Sequence, residues 1–130
     1  MSAKIRLGLS IAGAIAVLAW QPHADAHHGG TVEWNQEQVR GPITGVATRF
    51  AFQFPHVQLF AEMTNEHGEQ ASWTLVIRWT PTILRKNGWS RDSIKPGDEV
   101  TVTYFPHVDS PTTGLIQSIE VNGEPLPMDL

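Results

Sequence analysis

Cysteine is absent from all 130 residues of the sequence. That absence excludes thiolate nucleophiles, thiol–disulfide exchange and zinc–thiolate sites. It also removes the staples many small exported domains use, so the fold must rest on an apolar core or a bound ligand. Positive charge is scarce: nine Lys and Arg stand against thirteen Asp and Glu, for a net charge of −4. A chain of that sign repels phosphate backbones and carries no polybasic segment for anionic lipid. Nucleic acid is therefore not an expected partner. No G-x-S-x-G elbow, H-E-x-x-H pair or phosphate-cradling glycine loop occurs. A hydrolase built from dispersed residues ranks last for want of any motif. The sequence predicts a binding protein, not an enzyme.

Long apolar runs are missing too. "LGLSIAGAIAVLA" holds 13 uncharged residues, short of the roughly 20 that span a bilayer. Lys4 and Arg6 precede it, and small residues Ala24 and Ala26 follow. Basic, apolar, small-x-small is the order of a secretory leader; an uncleaved anchor is the lesser alternative. The sequence thus predicts a signal peptide over 1–26, a periplasmic address, and no stable membrane insertion after cleavage. Losing Lys4, Arg6 and Asp25 takes the net charge from −4 to −5. Residues 27–130 suit a single domain with a modest core.

Residues 27–42, "HHGGTVEWNQEQVRGP", carry Gly29, Gly30, Gly41 and Pro42 and little periodicity, which predicts an N-terminal arm. Trp34 within it either anchors the arm to the domain or faces a partner. The domain proper, 43–130, then alternates. "ITGVATRFAFQF" places Val46, Thr48, Phe50, Phe52 and Phe54 on one face, with Gly45 marking a bulge or curl. "HVQLFAEMT" turns Val57, Leu59, Ala61 and Met63 inward, and "SWTLVIRW" groups Trp73, Leu75, Ile77 and Trp79. Thr80 as cap, Pro81 at the first position and Gly88 at the exit predict a helix of about two turns. Trp89 follows it and packs the helix exit against the domain. "KPGD" is a β-turn; the Asp98–Glu99 pair after it is turn chemistry rather than an acid/base couple. "EVTVTYF" alternates Val100, Val102 and Tyr104, and "GLIQSIEV" groups Leu115, Ile119 and Val121. Three strands, a short helix and two strands give the element order of a five-stranded OB-like β-barrel, all-β with one helix. A two-sheet sandwich would need more strands.

Two histidines sit in a repeated "FPHV", at 54–57 and 105–108. The flanks differ, so this is no duplication. In the plain reading each copy ends a strand on an aromatic, Pro stops the ladder, and Phe54 and Phe105 close the barrel ends. In the barrel reading His56 lies in the first strand connection and His107 in that between strands four and five. These connections flank the ligand face of OB barrels. Two imidazoles there can hold a metal or orient an anion. Arg78, Arg85 and Lys86 form a local basic spot, either a seat for a small carboxylate or a solvated helix face.

The stronger chemical signal is at the cleavage site. Cleavage after Ala26 makes His27 the first residue. Its free amine and ring nitrogen, with a second imidazole from His28, His56 or His107, form a T-shaped nitrogen set that suits copper(II). The alternative is a solvated arm with His27 placed by accident of the cut. Cleavage after Ala24 would leave "DAH", whose amine, two amides and third-position imidazole suit copper(II) or nickel(II).

On the post-leader histidines, "ITGVATRFAFQFPHVQL", Trp73, "LRKNGWSRDSIKPGDEVTV" and the closing "NGEPL", the chain resembles a family of small exported bacterial proteins catalogued as domain of unknown function 6152. "GWSRDSIKPGDEVTV" at 88–102, with the upstream Pro55–His56 pair, is the most specific part. The family usually has Asn before that pair, where Phe54 stands, and "HHS" where "HHGG" stands. The resemblance implies a periplasmic address and a small β domain, and no established activity. Together these readings predict an exported binding protein that takes copper(II) through an N-terminal histidine. The alternative is a non-metal accessory module binding a small organic ligand or a periplasmic protein partner on its barrel face.

Overall fold

The computed structural model describes residues 33–130. In chain order the elements are β1 (Arg40–Ala51), β2 (Val57–Thr64), β3 (Gln70–Ile77), α1 (Pro81–Lys86), β4 (Glu99–Pro106), β5 (Thr113–Val121) and β6 (Glu124–Pro125). The sheet runs β3-β2-β1-β4-β5-β6, and β3 also pairs in parallel with β5. That last pairing closes the first five strands into a barrel and leaves β6 as an extra strand. The expected OB-like, all-β architecture with one helix is therefore present.

Alternation drives most of the closure. Val57, Leu59, Ala61 and Met63 of β2 are all at most 2% exposed. Trp73, Leu75 and Ile77 of β3 and Val100, Val102 and Tyr104 of β4 meet them in one core. The Thr80 side chain accepts from the Ile83 amide at 3.4 Å, Pro81 opens α1, and Leu84 joins the core. Gly88 leaves the helix at φ +87°, a region L side chains rarely adopt.

β1 departs from simple alternation. Ile43 and Ala47 of the odd-numbered face point inward in its first half, with Val46 48% exposed, whereas the even-numbered Phe50 and Phe52 pack on the core at its far end; Phe54, past the strand, is 61% exposed. The cause is an irregularity between Ala47 and Arg49 in the pairing with β2. An extra residue there exchanges the two faces of the strand. β5 does the same. Thr103 pairs with Ser118 but Tyr104 with Ile116, so Gln117 is the extra residue. Ile116 takes the core position, and Leu115, grouped by sequence with Ile119 and Val121, is buried outside the core cluster.

The FPHV copies do different jobs. β1 ends at Ala51, before Phe54, so neither that strand end nor the barrel end is closed by Phe54. β4 runs through Pro106, which pairs with Gly114. Beyond the expected strands, the turn at Asn122 and Gly123 (φ +51° and +83°) returns the chain into β6. The tail then packs on the core through Leu126, Met128 and Leu130. Two indoles hold it: Trp79 Nε1–H donates to the Met128 carbonyl at 3.2 Å and Trp89 Nε1–H to that of Pro127 at 2.9 Å.

Candidate functional site

The β1–β2 connection carries His56, and the β4–β5 connection begins at His107. The arm joins them. The Asn35 amide donates to the Pro106 carbonyl at 2.9 Å, and the Val108 amide donates to the Glu33 carbonyl at 3.0 Å. Between these bonds Trp34 bridges His107, with the rings edge to face at 5.1 Å and 88°. Of the two roles open to Trp34, the structure shows the anchor.

These segments enclose a groove of about 580 Å³, within the range of small-molecule sites, roughly 300–1,000 Å³. Val76 and Ile77 of β3 and Leu115 of β5 supply its apolar surface. His56, His107 and Trp34 stand around it, with Arg78 and Glu33 also lining it. The fold thus brings His56 and His107 to one groove, as the barrel reading expected. His27 and His28 lie outside the described residues. Among the described residues no three His, Asp or Glu side chains cluster in a way that could hold a metal.

The two imidazoles are not equivalent. His56 is exposed. His107 is half-buried, and its Nδ1 accepts the Asp109 amide at 3.0 Å. A neutral ring that accepts at Nδ1 carries its proton on Nε2. His107 is thereby set up as a hydrogen-bond donor at Nε2 and is a poor metal ligand there. His56 carries no such restriction.

The basic spot is split. Arg78 lines the groove and sends one N–H to Gln36 Oε1 at 3.4 Å. The Arg85 guanidinium instead lies 5.2 Å from the Phe52 ring centroid. Asp98 is turn chemistry: the Lys95 amide donates to it at 2.8 Å and Asn122 Nδ2 at 3.1 Å. The first of these bonds above all, then the second, holds its carboxyl below the usual range. Sequence reasoning missed Arg78's place at the groove and the apolar surface of Val76 and Leu115. Val76 did carry a signal, being an apolar residue on the outward face of an alternating strand.

A model described as a family of unknown function, DUF6152, matches residues 14–117. The chain belongs to this family. The matched span takes in the arm, α1, the first four strands and every groove residue discussed above. No curated protein and no solved structure matches the chain. Family membership therefore brings no activity with it, and the chemistry must be argued from this groove. No helix among the described residues is long and apolar enough to cross a membrane.

Proposed function

We propose that the protein is exported to the periplasm and there binds copper(II) through His27, with His56 as the added imidazole. The leader pattern over 1–26 supports export and a new N-terminus at His27. The observation that carries the metal reading is the docking of the arm: Glu33 and Trp34 are bonded to the His107 segment on the groove that His56 lines. Glu33 lies six positions after His27, and an extended chain of six steps reaches about 20 Å. Glu33 and His56 line the same groove, so an arm of that reach starts beside the added imidazole. Three nitrogens in a T then suit copper(II). His28 is the alternative second imidazole; His107 is disfavoured by its Nε2 proton.

The test is calorimetry on the chain beginning at His27, against the same chain with one added leading Met. Tight copper(II) binding is expected only in the first and should weaken as pH falls, because amine and imidazole must be deprotonated. The His56→Ala form should lose at least about tenfold, no less than a second-shell loss costs elsewhere. Equal affinity with and without the added Met would remove the N-terminal site. Mass spectrometry of the exported form fixes the first residue.

The groove volume favours a second reading, a non-metal accessory module that takes a small organic ligand or a protein partner on the barrel face. A thermal-shift screen on metal-free protein tests it, since a ligand that binds only the folded state raises the melting point.

A further inference from the structure

We propose that the groove between the two loops binds a small organic carboxylate. The carboxylate is held by Arg78 and by the Nε2–H of His107, and the apolar body rests on Val76, Leu115 and Trp34. This rests on the second reading above and does not depend on copper.

The polar side of the groove is a set of donors. The Asp109 amide fills Nδ1 of His107, so the neutral ring offers an N–H at Nε2 and wants an acceptor. Arg78 has five donors in a planar fork, and among the described residues only one is directed at a neighbour, Gln36, at a long 3.4 Å. The rest of the fork matches the two oxygens of a carboxylate. Glu33 is the one carboxylate lining the groove among the described residues. It is exposed and tied to the His107 segment through its backbone carbonyl, leaving the donors in excess. A wholly apolar ligand would cover Arg78 and His107 without satisfying them, which costs free energy.

The apolar side favours an organic ligand over a bare inorganic anion. Leu115 is buried yet stands apart from the core cluster, and Val76 faces outward beside it. Such a surface rewards a hydrocarbon body. It lies on the face where OB barrels take their ligands, between the first and fourth strand connections. An apolar body with one carboxylate satisfies both sides at once.

The test uses metal-free protein titrated with benzoate or hexanoate and, in parallel, with benzamide or hexanamide, followed by amide NMR. The carboxylates should shift the Val76, Arg78 and His107 signals saturably and bind about tenfold more tightly than the amides, as a charge-assisted hydrogen bond predicts. Arg78→Gln should remove that advantage, weakening the acids far more than the amides. His107→Leu should weaken carboxylate binding, and His107→Gln, which keeps an N–H, should recover part of it. Side-chain nitrogen spectra should show His107 protonated at Nε2. The proposal is overturned by equal affinity for acids and amides, by full carboxylate affinity in Arg78→Gln, or by a proton on Nδ1. It is also overturned if none of the four compounds gives a saturable shift. Saturable binding of acids and amides alike would sink the carboxylate but leave the accessory-module reading standing.

Discussion

A Cβ built on Gly45 would lie 2.0 Å from the Glu62 carbonyl oxygen and 2.7 Å from both Cα and Sδ of Met63. The nearest of these is backbone within the β1–β2 ladder and cannot swing aside as a side chain can. Gly45→Ala should therefore destabilise the barrel by about 2 kcal/mol or more, the cost of overpacking a tight site. The expected result is a lower urea midpoint at an unchanged slope; a midpoint within error of the parent would show that the strands part at no cost. The glycine was readable in sequence as a point of curl. The irregularity after Ala47 was not, because nothing in "GVATRF" says which residue the ladder will skip. The same limit applies at Gln117 in β5. One skipped residue in each strand moved Val46 out of the interior and Leu115 onto the groove. His107 shows a finer case: its place in the last barrel connection followed from element order, whereas its tautomer depends on an amide two residues on.

At the scale of elements, local signals placed β2, β3, β4 and α1, since alternation and capping act over a few residues. The parallel β3–β5 pairing and the docking of the arm join residues far apart in sequence, and only the closed fold shows them. The tail is an intermediate case. Leu126, Met128 and Leu130 alternate, a legible signal, and they pack against the core. The indoles that donate to the tail's Pro127 and Met128 carbonyls, Trp89 and Trp79, lie in the segment around α1. Trp89 is only 3% exposed, so losing the tail strips a nearly buried N–H of its acceptor. Deleting residues 126–130 should lower stability by about 3 kcal/mol, from lost apolar burial and the broken indole bonds. Tryptophan emission should shift to the red as Trp89 meets water. An unchanged emission maximum and midpoint would mean the tail rests on the barrel without supporting it.

For the whole molecule, the question is whether a metal holds the fold or the fold holds a metal. The described residues bury no polar or charged side chain and leave no buried side-chain nitrogen or oxygen without a partner. A closed barrel of that kind draws its stability from its core, unlike small domains whose folding free energy is metal binding. Chelation with EDTA should therefore leave the melting temperature unchanged. Added copper(II) is more discriminating. A site made only of the first residue's amine and ring exists equally in the unfolded chain, and a ligand that binds both states cannot stabilise one of them. If His56 shares the ion, the folded state binds more tightly, and saturating copper(II) should raise the melting temperature of the His27-first form. His56→Ala should abolish that rise while the chain still binds copper through its N-terminus. Trp34→Ala should shrink it by freeing the arm from His107. A high calorimetric affinity with no thermal shift would place the ion on the N-terminus alone and separate it from the barrel.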